Sequence, residues 1–273
     1  MERKFFKALG ESVPVLGMGT WRIGGGFNSP DRSGDELWIK ALRRGIELGM
    51  TLIDTAEVYG GGHAEELVGE AIRGYPRSSL FIVSKVWPSR ASVDEIVKAA
   101  EASVKRLGTH MDLYLLHWPP EDGRLEARMK GLERAVEKGY TRYIGLSNFD
   151  LRLLEEARSY LSRVEIAAIQ NRMSVAYRVY EKDVIPYAKE NGMMFMAYTP
   201  LERGRLARDG FLAEIGRKYG KTAAQVALNW LICIEPVVPI PKAARVEHVE
   251  ENAGVAGWRL SKEDWEEISR KFS

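Results

Sequence analysis

Cysteine is almost missing from this chain: Cys233 stands alone in 273 residues. No disulfide can form within the chain, and thiols cannot build a zinc site. Cys233 lies in the apolar stretch 227–234 and reads as a packed core thiol. Histidine is scarce as well. His63, His110, His117 and His248 show no metal-ligand spacing, and no metal is expected. No apolar run approaches the roughly 18 residues of a membrane span. Residues 1–10 are charged and lack the apolar core of a signal peptide. A cytoplasmic protein without a membrane partner is expected. A charge excess is missing too: 40 basic residues face 38 acidic ones, a net charge of +2. That balance leaves no polybasic tail for nucleic acid. No long linker, low-complexity tract or repeat divides the chain, so residues 1–273 are expected to form a single domain.

What is present is a regular alternation. Short runs, apolar throughout, fall at 15–18, 51–53, 80–83, 112–116, 143–146, 167–169, 193–197 and 237–240. Runs without polar alternation fit strands buried on both faces of a parallel sheet. Amphipathic segments at 35–48, 63–73, 125–138, 151–159 and 182–190 read as helices. Ser92 and Glu95 form a capping box ahead of Ile96, Ala100 and Val104 at helical spacing, and Gly108 stops that helix. Thr222 and Gln225 repeat the device before 227–231, and Ser261 to Asp264 begins a final helix. Residues 3–14, with a turn at Gly10-Glu11, read as a β-hairpin. Repeated strand–helix units imply parallel strands with helical crossovers. Eight strands suggest an α/β fold closed into an eight-stranded parallel (β/α) barrel, a TIM barrel, which needs roughly 250 residues. An open doubly wound sheet fits the same pattern.

Several apolar runs end in a polar group: Asp54, Lys85, His117, Ser147-Asn148 and Gln170-Asn171. Singly, each has an ordinary explanation as a cap, a surface charge or a structural histidine. On successive strands of a parallel barrel they would all open on one rim, where such barrels place their active sites.

The strings Leu52-Ile53-Asp54-Thr55-Ala56-Glu57-Val58-Tyr59-Gly60, Ile82-Val83-Ser84-Lys85 and Leu115-Leu116-His117-Trp118-Pro119 resemble the catalytic segments of the aldo-keto reductases. Gly145-Leu146-Ser147-Asn148-Phe149, Tyr198-Thr199-Pro200-Leu201 and Ile240-Pro241-Lys242 resemble that family's cofactor segments. The matches come in family order and span about residues 17–252. The resemblance implies an NAD(P)-dependent oxidoreductase that interconverts carbonyls and alcohols, with Asp54, Tyr59, Lys85 and His117 as catalytic residues. Chemistry agrees with those roles. Carbonyl reduction needs a hydride on carbon and a proton on oxygen. A phenol of pKa about 10 is a willing acid. A Lys85 ammonium beside Tyr59 is expected to lower that pKa, Asp54 to orient Lys85, and His117 to bond the carbonyl oxygen.

The resemblance also implies the cofactor contacts. Ser147, Asn148 and Gln170 would meet the nicotinamide carboxamide, with Asp54 nearby, and Tyr198 would stack on the ring. Gly19, Thr20 and Trp21 form the contact segment after the first strand. Thr199, Pro200 and Leu201 continue from Tyr198. Gly17-Met18-Gly19 is no dinucleotide fingerprint, and its glycines are read as letting backbone approach the cofactor. Ile240, Lys242, Ala243, Arg245, His248, Glu251 and Asn252 would hold the adenosine end, with Lys242 at the 2′-phosphate. The family often has serine at Ala243 and arginine at His248. Losing a hydroxyl and a fixed cation weakens phosphate recognition, with Arg245 as the candidate replacement. Dual use of NADP and NAD is therefore expected.

Trp21, Trp87 and Trp118 each follow a strand end and, with Tyr59 and His117, suggest an aromatic substrate pocket. The segments after His117 and Tyr198 are short for the family, and its long C-terminal loop is not seen. An open, permissive site for small carbonyl compounds or alcohols is expected, on a monomer. Two rivals fit parts of the pattern: a cofactor-binding, redox-sensing regulatory protein with little turnover, and a lyase using Lys85 as a Schiff-base nucleophile.

Overall fold

The computed structural model describes residues 1–272. An antiparallel hairpin comes first, β1 (Arg3–Phe6) and β2 (Glu11–Pro14). Strand β3 (Met18–Gly19) follows, then a second hairpin, β4 (Gly25–Gly26) and β5 (Ser29–Pro30). The chain continues through α1 (Asp35–Glu47), β6 (Leu52–Asp54), α2 (His63–Ile72), β7 (Phe81–Val86), α3 (Val93–Leu107), β8 (Met111–Leu116) and α4 (Leu125–Glu137). Next are β9 (Thr141–Ser147), α5 (Leu151–Ser159), β10 (Ile166–Arg172), α6 (Val184–Glu190) and β11 (Met194–Tyr198). The last elements are α7 (Gly210–Tyr219), α8 (Ala223–Ile232), β12 (Val237–Pro239), α9 (Val246–Ala253) and α10 (Lys262–Lys271).

Strands β3, β6, β7, β8, β9, β10, β11 and β12 pair in that order, each parallel to its neighbour. This is the (β/α) barrel expected from the apolar runs. Each run is apolar throughout because it buries two faces. One face packs against the helices: Ile82, Tyr114, Ile144 and Phe195 belong to that layer. The other fills the barrel, where Leu52, Val83, Leu113, Met194 and Val238 meet. Phe6, Leu9 and Val13 of the first hairpin join this inner cluster and plug one end. Functional side chains are left to the other end, where strands finish.

The sheet closes without a long ladder. The Gly17 amide donates to Pro239 O at 3.0 Å and the Gly19 amide to Pro241 O at 3.1 Å. A Cβ at Gly17 would stand 2.6 Å from Leu52 Cδ2, and one at Gly19 would stand 2.8 Å from Ile240 O. The two glycines therefore serve the seam between first and last strands.

Both capping boxes form, Ser92 with Glu95 and Thr222 with Gln225, and Gly108 ends α3 in the left-handed region at φ +69. Four expectations change. The first strand is Met18–Gly19 rather than 15–18, because Val15 and Leu16 are buried in the helix-facing core instead of the ladder. Helices α7 and α9 and the β4–β5 hairpin were not anticipated. Cys233 is exposed: it caps the C-terminal end of α8, where the chain turns outward, so it is no core thiol. Among the described residues no helix is long and apolar enough to cross a membrane.

Candidate active site

Asp54 ends β6, Lys85 is the penultimate residue of β7, and His117 directly follows β8. Parallel register brings these three strand ends side by side, with Asp54 opposite Val83 and Lys85 opposite Leu115. Tyr59 comes from the loop after β6. That loop is tied to its neighbour by the Thr55 amide on Val83 O (2.9 Å) and the Glu57 amide on Lys85 O (3.2 Å). All four side chains are buried.

Lys85 Nζ donates to Asp54 Oδ2 (2.8 Å), Thr55 O (2.8 Å) and, at a long 3.4 Å, Tyr59 OH. Three acceptors around one nitrogen match the three protons of an ammonium. Since Lys85 donates to the Tyr59 oxygen, the phenol proton must point elsewhere. Gln170 Nε2 donates to Asp54 Oδ1 at 2.7 Å and occupies the second carboxylate oxygen. Burial pushes the Asp54 carboxyl up, against the pull of Lys85 and Gln170. Burial pushes Lys85 down, against Asp54 and the more distant Glu65. Tyr59 is raised well above 10.0 by burial and then by the Asp54 charge. The lowering expected from Lys85 is not the dominant effect: loss of water around the phenolate is the largest cause, and the Asp54 charge adds to it. Burial, with Lys85, holds His117 well below the usual 6.5, so its ring is neutral near pH 7. His117 Nδ1 is buried without a hydrogen-bond partner among the described residues.

Rings surround this group. Trp21 lies edge-on to Tyr59 at 4.9 Å, Tyr59 to His117 at 5.7 Å, and His117 to Trp87 at 5.2 Å. Trp118 is 43% exposed at the rim and, among the described residues, joins none of these ring pairs. Phe27, from the β4–β5 hairpin, packs edge-on to Trp87 at 4.9 Å and bridges Tyr59 through backbone. It was not anticipated. Its only sequence signal is a lone aromatic after Gly24-Gly25-Gly26.

The expected cofactor residues fall into three groups. Beside Asp54, Ser147 and Gln170 are buried. Asn148 spends both amide protons on His117 O (2.9 Å) and Ser147 Oγ (3.0 Å), and accepts from Tyr198 OH at 2.7 Å. It is thus a brace between β8, β9 and β11 ends. Ser147 retains its hydroxyl proton and Gln170 its amide oxygen. One free donor and one free acceptor, both buried, suit a carboxamide, so the set fits a nicotinamide. Thr20 is buried, with Oγ1 donating to Asp54 O at 2.9 Å, while Trp21 reaches the ring wall. After Tyr198 the backbone turns through Thr199 at φ +54 and Pro200 to Leu201.

At the third group, the seam, Gly19 bridges Lys242. Lys242 follows Ile240, faces solvent, and is lowered by burial of its stem and by the nearby Arg22. Arg22 is a cation that the sequence pattern did not single out. Ala243 leads into α9, where Arg245 donates to His248 Nε2 at 2.6 Å and His248 Nδ1 stands 3.6 Å from Glu251. Arg245 keeps its charge and its other N–H groups, so it stands with Lys242 and Arg22 as a cation near the seam. Asn252 is buried at the far end of α9.

Known proteins resemble this chain along nearly its whole length. Residues 15–272 match the model of the Aldo/keto reductase family. The methylglyoxal reductase YeaE of Escherichia coli (strain K12) is 39% identical over 268 residues, covering 96% of this chain and 92% of that protein. The glyoxal reductase of Bacillus subtilis (strain 168) is 33% identical over 262 residues, covering 95% and 89%. The thermostable aldo-keto reductase Tm1743, solved with the inhibitor epalrestat, superposes with a TM-score of 0.93 at 43% identity, covering 99% of each chain. An aldo/keto reductase from Klebsiella pneumoniae, solved with NADP and acetate, gives 0.88 at 35% identity, covering 100% of this chain and 96% of the other. The chain belongs to the aldo-keto reductase family.

Proposed function

We propose that this chain reduces small aldehydes and ketones with NADPH, accepts NADH as well, and runs the reverse oxidation of alcohols. The observation that supports it most directly is the three-acceptor set around Lys85 Nζ. It leaves Tyr59 with its proton free to donate into the ring-walled site. The names of its relatives point the same way, toward glyoxal and methylglyoxal reduction and, in the Klebsiella protein, NADP.

A bound nicotinamide supplies the hydride. The chain's own residues do the rest. Ser147 and Gln170 would hold the carboxamide, while Tyr198, held by Asn148, would lie against the ring. Lys242 would hold the 2′-phosphate. The carbonyl oxygen sits between the Tyr59 hydroxyl and the His117 ring. Tyr59 delivers its proton to that oxygen as negative charge builds there. The Lys85 ammonium then stabilises the phenolate that remains, and Asp54 keeps Lys85 aimed. In alcohol oxidation the same phenolate takes the proton back. Trp21 and Trp87 exclude water from the reacting atoms.

The test is NADPH oxidation with methylglyoxal by wild type and Tyr59→Phe. The variant should lose roughly a hundredfold or more in kcat while still binding NADPH. An unchanged rate would overturn the proposal.

A further inference from the structure

We infer that Phe27, on the β4–β5 hairpin, is a specificity-determining residue that selects aryl-bearing carbonyl compounds over short aliphatic ones. The inference rests on the proposed carbonyl reduction and adds the class of substrate that the outer site favours.

The rings form a series leading outward from the reacting atoms. His117 meets Trp87 at 5.2 Å, and Trp87 meets Phe27 at 4.9 Å. A carbonyl group held at Tyr59 and His117 thus has Trp87 as its next neighbour and Phe27 one ring further out. A three-carbon aldehyde ends within reach of Trp87. An aldehyde that carries an aryl ring two carbons beyond the carbonyl carbon extends past it and offers a ring face or edge to Phe27. Phe27 is 49% exposed, so half of its surface awaits a partner.

The wall is rigid. The Asn28 amide donates to Val58 O at 2.8 Å, and the Asp31 amide to Gly24 O at 2.9 Å. Phe27 itself pairs with Tyr59 through the backbone. A Cβ at Gly60 would stand 2.1 Å from Gly24 O, so the hairpin lies directly on the Tyr59 loop. Trp87 is fixed from behind, its amide donating to Glu57 Oε1 at 2.8 Å. A preorganised aromatic pair loses little entropy when a third ring joins it. Edge-on packing of that ring is worth more than its buried area alone.

The experiment compares kcat/KM for 3-phenylpropanal and propanal in wild type, Phe27→Ala and Phe27→Leu. Phe27→Ala should lower the 3-phenylpropanal value roughly fivefold to tenfold, mostly through KM, and leave propanal within about twofold. Phe27→Leu should recover part of the loss. Equal losses on both aldehydes would overturn the inference, since Phe27 would then only brace the Tyr59 loop. No change on either would overturn it too. Quenching of tryptophan fluorescence by benzyl alcohol reads the wall without turnover. Weaker quenching in Phe27→Ala, in a protein that reduces neither aldehyde, would uphold the wall and sink the proposed reduction instead.

Discussion

Tyr59 touches three side chains of different character: the Lys85 ammonium at 3.4 Å, the Trp21 ring at 4.9 Å and the His117 ring at 5.7 Å. Burial raises its pKa well above 10.0, and burial keeps His117 neutral. The sign of the pH dependence follows. Reduction needs the phenol, which is lost only as pH rises through that raised value. Oxidation needs the phenolate, which is gained in the same range. The rate of the reductive step should stay flat from about pH 6 to about pH 9, while that of alcohol oxidation climbs over the same interval. Rates measured at saturating cofactor in both directions check this. A reductive rate that falls between pH 7 and 8 would mean that Lys85 outweighs burial after all. Asp54, Lys85 and His117 were legible in the sequence because each closes an apolar strand, and Tyr59 because it follows one within a recognisable string. The direction of the Tyr59 shift was not legible. It depends on how much water four buried side chains and two tryptophans leave around one oxygen, which no local pattern encodes.

Among elements, the first hairpin carries the least expected chemistry. Lys4 of β1 donates at 2.8 Å to both Ile234 O and Val237 O, joining the hairpin to the turn between α8 and β12. Burial lowers its pKa from 10.5 to about 7, helped by Arg259. Between those two values the folded chain binds fewer protons at Lys4 than the unfolded chain does. Stability must then rise with pH across that window, the penalty being complete below about 7 and gone above 10.5. Urea midpoints at pH 6 and pH 9 should show wild type gaining on Lys4→Met as pH rises. Parallel midpoints would contradict the buried charge. This hairpin and the helices with capping boxes were readable because their signals are local: a turn glycine, a Ser or Thr three residues before Glu or Gln, an apolar stripe. The β4–β5 hairpin was hidden. Its two strands contain only glycine, serine and proline, and it holds its shape by leaning on the Tyr59 loop. Phe27 was lost with it. Helix α9 was overlooked because only Val249 and Asn252 of its eight residues are buried, too few to make a stripe.

At the scale of the whole molecule, first and last segments meet twice. Glu2 accepts from the Gly257 amide at 2.6 Å and pairs with Arg259, and the glycine seam joins β3 to the end of β12. The proposed cofactor contacts straddle that seam, Thr20 and Trp21 on one side and Lys242 on the other, with Gly19 bridged to Lys242. Cofactor held by those contacts would be coupled to closure of the barrel, and one cooperative unfolding transition is expected. At a hundred times its Kd, a ligand bound only by the folded state adds about 2.7 kcal/mol. NADPH should raise the melting temperature more than NADH at equal concentration, because Lys242 stands near Arg22, and Arg245 keeps its charge when it donates to His248. The gap should be modest, since Ala243 brings no hydroxyl and His248 no fixed charge. Lys242→Met separates the contributions. The NADPH shift should fall toward that of NADH, and the NADH shift should not move, because Lys242 meets only the 2′-phosphate. If the variant keeps the full NADPH shift, the phosphate is held elsewhere, and Arg22 becomes the residue to substitute next.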